Sequence, residues 1–137
     1  MIDIDYELSA ADFSRTLAYF FERAVATTQL LRRRWDPNRG APVFTEAGQY
    51  TARGWTEWTQ GFQFGNALYL FEATGNEELL EYGRRATREY MAPHITHIGV
   101  HDHGFNNVST YGNLLRLMRA GRIPENERER DFYVLAL

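Results

Sequence analysis

Apolar side chains return at three- and four-residue intervals through most of this chain, and that period confines it to helical architecture. The longest run is Phe13, Leu17, Phe20, Phe21, Ala24, Thr28 and Leu31. Ser9, followed by Ala10, Ala11 and Asp12, reads as a helix N-cap with an acid in the first turn. A first helix is therefore predicted to about Trp35, where Asp36-Pro37-Asn38-Arg39-Gly40 stops it. A second helix is predicted from about Thr56 to Thr74, with Phe64, Ala67, Leu68 and Phe71 as its stripe and Gly75 closing it. Asn76-Glu77-Glu78 opens a third, which buries Leu79, Tyr82, Ala86 and Tyr90 and ends before Pro93. After a loop from Pro93 to about Asn107, Tyr111, Leu114, Leu115 and Met118 mark a fourth, followed by Gly121. Pro124 suits the first position of a fifth.

The stretch from Asp36 to Gly54 is rich in Gly, Pro and polar residues and reads as a long loop. No segment reads as a strand. The expected fold class is all-α, an array of helical hairpins in one helical region covering residues 1–137. The hairpins are too dissimilar to define a repeat. The last residues, Phe132-Tyr133-Val134-Leu135-Ala136-Leu137, are apolar and lack a cap. They read as a helix cut in mid-course, so the chain is expected to be a fragment of a longer protein that self-associates through that helix; the competing reading is that the helix docks onto a core or a second subunit.

Composition narrows the chemistry. A net charge of −3 gives no electrostatic footprint for nucleic acid. Arg32-Arg33-Arg34, the one dense basic run, falls at a predicted helix C-terminus, where cations complement the dipole. With no Cys, disulfide and thiolate chemistry are excluded. The acidic start is no secretory signal, and no apolar run reaches the ~20 residues of a membrane span, so no membrane partner and a cytoplasmic location are expected. Aromatic residues make up 15%, more than a core of this size needs, which leaves some to line a cleft.

Two clusters carry candidate chemistry. His101-Asp102-His103-Gly104-Phe105 lies in a loop that feeds a helix, and an adjacent Asp and His can do acid/base work. Trp55, Trp58, Phe62 and Phe64 alternate with Gln60, Gln63 and glycines between Gly54 and Gly65. Indole faces stack on sugar C–H faces and amides bond hydroxyls. Phe62 and Phe64 are read as core, and Gly61 and Gly65 as sites of close helix contact. His94, His97, His101 and His103, with Asp102, are residue types that ligate zinc, but His94 and His97 follow a Pro in a loop and no second acid joins them, so no metal is assigned. P-loop, GxGxxG and GxSxG patterns are absent.

Taken in order, Trp58-Thr59-Gln60-Gly61-Phe62-Gln63-Phe64-Gly65, then Glu72-Ala73-Thr74-Gly75-Asn76, then His101-Asp102-His103-Gly104-Phe105, the chain resembles the unsaturated glucuronyl hydrolases of glycoside hydrolase family 88. It is also similar to the unsaturated rhamnogalacturonyl hydrolases of family 105. The resemblance covers roughly residues 55–111. Gln60 and Gln63 stand where the family often has Asp and Trp. The resemblance implies that the hairpins form the first part of an (α/α)6 toroid. It implies hydration of the C4=C5 double bond of an unsaturated uronic acid at the end of an oligosaccharide, with no metal or organic cofactor. By the same resemblance, Asp102 and His101 are catalytic, and Trp58, Trp55, Gln63 and His103 contact substrate. The family's second Asp should lie several tens of residues after Asp102. Asp131 is too near and sits in a predicted helix, so the isolated chain is expected to be inactive. Two alternatives remain open: a non-catalytic helical binding or scaffold module that keeps the aromatic platform, and a different toroid sugar enzyme such as an epimerase.

Overall fold

The computed structural model describes residues 5–54, 57–99 and 101–137. The chain enters through the cap read in its sequence. The Ser9 N–H and hydroxyl both donate to the Asp12 carboxylate, at 2.8 and 2.7 Å, and these bonds hold that carboxyl below its ordinary range. A 3-10 turn over Ala10–Phe13 leads into helix α1, Ser14–Arg34. Its three terminal arginines lie in the last turn. The apolar stripe of α1 is present, yet no residue of the helix is buried.

The expectation of an all-α array leading into a toroid is overturned between α1 and the next helix. The chain forms an antiparallel hairpin there, β1 Ala41–Glu46 and β2 Gln49–Arg53. Ala47 and Gly48 both take positive φ, 49° and 75°, the backbone that a two-residue hairpin turn needs. Val43, Phe44, Thr45, Tyr50 and Thr51 supply the β-branched and aromatic content of the strands. Pro42 removes little, because a two-stranded sheet has only edges and the register shifts between Pro42 and Phe44. Trp35 pins the hairpin to α1. It is buried, its Nε1–H donates to the Gly40 carbonyl at 3.0 Å, and the Arg39 guanidinium lies 4.6 Å over its ring.

The core is the α2–α3 hairpin packed on one interrupted helix. Helix α2, Thr59–Thr74, ends at Gly75 with φ 72°, and Asn76 caps α3, Glu77–Tyr90, by accepting from the Glu78 N–H. The interrupted helix consists of α4 His103–Asn107, a π-helical segment Val108–Gly112, and α5 Asn113–Arg119. The predicted loop from Pro93 therefore ends at Asp102. A Cβ on Gly61 would collide with the Asn106 backbone, and one on Gly65 with the Ser109 backbone. Helix α2 thus lies backbone to backbone against α4 and the π segment. Phe64, Leu68, Leu79, Met91, Tyr111, Leu114 and Leu117 close the core around this contact. Helix α6, Glu127–Leu135, starts three residues later than Pro124, because Asn126 accepts from the Glu129 N–H and caps it. Among the described residues no helix is long and apolar enough to cross a membrane.

Candidate functional site

The two clusters singled out in the sequence meet at the start of α2. The Gly61 N–H, one of the donors that a first helical turn leaves open, donates to Asn106 Oδ1 at 2.7 Å. Asn106 Nδ2 donates in turn to the Glu57 carbonyl at 3.4 Å. One side chain of α4 therefore clasps the entry of α2 from both sides, across more than forty residues of sequence. Above the clasp, Trp58, Phe62 and Phe105 form a triangle of rings, with centroids 5.7 Å apart for Trp58–Phe62 and 6.0 Å for each pair with Phe105. Trp58 remains 43% exposed, so one part of the indole packs and the rest faces solvent. Phe62, read as core, belongs to this triangle; Phe64 is fully buried as expected.

Asp102 stands at the head of α4, three residues before Phe105, whose N–H donates to the Asp102 carbonyl at 3.0 Å. Its side chain is partly open and lies 3.4 Å from His101 Nε2. His101 is almost wholly exposed. The structure thus brings Trp58, Asp102 and His101 to one end of the core. Gln63 does not join them. It is buried within α2, and its Oε1 has no hydrogen-bond partner among the described residues. Trp55 lies outside the described residues.

His103 has a role that the sequence did not announce. It is buried and both ring nitrogens are engaged, Nδ1 with His94 Nδ1 at 2.9 Å and Nε2 with His97 Nδ1 at 2.6 Å. His94, only 1% exposed, also meets Gln60 Oε1 through Nε2 at 3.0 Å and Asn106 Nδ2 through Nδ1 at 3.2 Å. Burial, reinforced by the neighbouring His103 and His97, lowers the His94 pKa to about 4. Burial also lowers that of His103, helped by His97 and opposed by Asp102. The rings hydrogen-bond to one another rather than converge on a common point, and among the described residues no three His, Asp or Glu side chains form a group able to hold a metal ion. Gln60, His94, His97 and Asn106 are thus the residues behind the site. The histidines could be noticed in the sequence as a cluster, whereas nothing in the local sequence marks Asn106. The chain matches no protein-family model, no curated protein and no solved structure.

Proposed function

We propose that this end of the chain handles an oligosaccharide ending in a 4,5-unsaturated uronic acid, as part of a site that hydrates the C4=C5 bond. Hydration places a proton on C4 and a hydroxyl on C5. C5 already bears the ring oxygen, so the product is a hemiketal that opens and releases the next sugar. Asp102 is the carboxylate assigned to proton transfer, His101 its neighbour, and the open part of the Trp58 indole the platform for the sugar ring. Sugar C–H faces suit an aromatic surface that is held rigidly and left partly exposed.

The observation that supports this reading most is the junction of two motifs distant in sequence. The Trp58 ring packs on Phe105, three residues beyond Asp102, while the Gly61 N–H is bonded to Asn106. A solvated loop acid has no need of such a fixture, whereas acid/base work depends on a carboxylate held in place against a bound ring. His103, with both nitrogens occupied, is assigned to support rather than to sugar contact, and Gln63 is left out of the site.

Loss of absorbance from the conjugated double bond reads the reaction directly. In a preparation that hydrates an unsaturated uronyl disaccharide, Asp102→Asn lowers kcat by roughly 10²–10⁴-fold with the helical circular dichroism intact, the usual worth of a general acid or base. An unchanged kcat removes Asp102 from the chemistry.

A further inference from the structure

Helix α1 leans on the core through Phe21, Ala24 and Val25. Beside that contact runs a longer stripe. Phe13, Leu17, Phe20, Ala24, Thr27 and Leu31 follow one another at alternating steps of four and three residues. That alternation is the a/d seam of a coiled coil, kept here over about 27 Å of helix. Phe13, Leu17 and Phe20, in the first half of the seam, each stand about half exposed. In the second half the side chains shrink to Ala24 and Thr27, and two hollows open beside them. One is a groove of about 440 Å³ between α1 and α2, with Phe20, Ala24, Thr27, Tyr69 and Leu70 in its walls. The other, of about 220 Å³, has Thr27, Leu31 and Arg34 of α1 and Tyr50 of the hairpin in its walls. Thr27 borders both, so the hollows follow one another along the seam.

We propose that this seam is an interface between two copies of the chain, with their α1 helices paired antiparallel about a two-fold axis beside Glu22.

The seam complements itself in that arrangement and not in a parallel one. A parallel pair sets Phe20 against Phe20 and leaves Ala24 and Thr27 facing their own copies across a gap. The antiparallel pair sets bulk against hollow. Phe13 falls opposite Leu31, Leu17 opposite Thr27 and Phe20 opposite Ala24, and the two-fold makes each contact twice. Large residues facing small ones let helix layers interlock. Charge agrees with shape. Asp5, Glu7 and Asp12 lead into the helix, and Arg32, Arg33 and Arg34 close it. Antiparallel pairing brings the acidic entry of each copy to the arginines of the other, with Asp12 beside Arg34. Arg23 meets its own copy near the axis, but it is exposed there and water and salt screen it. The area is also in range. Phe13, Leu17, Phe20 and Tyr69, all about half exposed, offer on the order of 400 Å², about half of the ~800 Å² that each partner gives to a standard interface. The walls of the two hollows lie alongside to supply the rest. The pairing does not depend on which sugar the site at the start of α2 takes.

Sedimentation of the 137-residue chain tests the interface, and spin labels test its direction. The chain is expected to be a dimer at tens of micromolar. Leu17→Asp puts a charge into the seam of each copy. It should weaken the dimer roughly a hundredfold or more, with the helical circular dichroism of the wild type. Leu135→Asp on α6 should leave the dimer as it is. For direction, nitroxides are carried on Arg15→Cys or Glu22→Cys, in a chain that has no other cysteine. Both positions are exposed and lie on the side of α1 away from the seam. Antiparallel helices separate the two labels at position 15 by about 21 Å along the axis and those at position 22 hardly at all, so the first pair is the more distant. Parallel helices give equal distances. A chain that sediments as anything but a dimer, a dimer that survives Leu17→Asp or is lost in Leu135→Asp, or equal label distances at the two positions would each overturn the proposal. If Leu17→Asp does not fold, the label distances decide it.

Discussion

Asn106 holds the start of α2 because its own amide has no freedom. Two backbone groups set its orientation, and its Nδ2 also lies 3.2 Å from His94 Nδ1. The consequence for stability follows from His94. An unfolded histidine takes up a proton near pH 6.5, whereas folded His94 resists it down to about 4. Between those values the unfolded chain binds more protons than the folded one, so folding stability falls as pH falls through that window. The full loss is on the order of 3 kcal/mol, read from urea midpoints between pH 7 and 4. A His94→Phe variant whose acid sensitivity equals that of the wild type would place the effect elsewhere. Little of this was legible beforehand. His94, His97 and His103 could be counted as a cluster, but their partners Gln60 and Asn106 come from helices that only the tertiary fold brings together. Asp102 and Trp58 were legible because their neighbours in sequence, Phe105 and Phe62, are also their neighbours in space.

Among the elements, α2 carries the site, and its glycines decide how closely α4 can approach. Gly61 and Gly65 lie on one face of the helix, one turn apart, and the backbones of Asn106 and Ser109 occupy the space where a Cβ would stand. Gly61→Ala should therefore cost about 1–3 kcal/mol by forcing the helices apart, although Ala is the better helix former. Denaturant titration checks the sign; a stabilised Gly61→Ala variant would mean that the contact is looser than described. The close contact was legible as two glycines four residues apart. The hairpin of β1 and β2 was not. Its punctuation by Pro37, Gly40, Pro42 and Gly48 reads as loop, and Ala47-Gly48 lacks the Asn or Asp that usually announces a turn with two positive φ angles. The register shift at Pro42 also breaks the alternation by which a strand is recognised. The π segment was hidden for a related reason: Tyr111, Leu114, Leu115 and Met118 keep a helical spacing whether or not one turn is widened.

At the scale of the whole molecule, the core is built mainly from α2, α3, the interrupted helix and part of α6, with Met91 and Ile123 from the connections, and apolar surface remains outside it. Leu17 and Phe20 of α1 are exposed, as are Phe132 and Leu135 of α6 and Leu137 beyond it. A groove of about 440 Å³ runs between α1 and α2, lined by Phe20, Phe21, Ala24, Asn66, Tyr69 and Leu70 among others. Surface of this kind is expected to drive concentration-dependent association or binding of a hydrophobic dye; light scattering that shows a stable monomer, with no dye bound, would contradict this. The opposite feature, a polar and aromatic site built where two motifs meet, lies at the start of α2. The most direct measurement is a titration of isotope-labelled chain with an unsaturated uronyl disaccharide, followed residue by residue in nitrogen–proton spectra. Saturable shifts are expected at the Trp58 indole and at the amides of Asp102, Gly104 and Phe105, abolished by Trp58→Ala. Spectra that do not change at millimolar sugar, or shifts that map to the α1–α2 groove and leave Trp58 and Asp102 untouched, would contradict it.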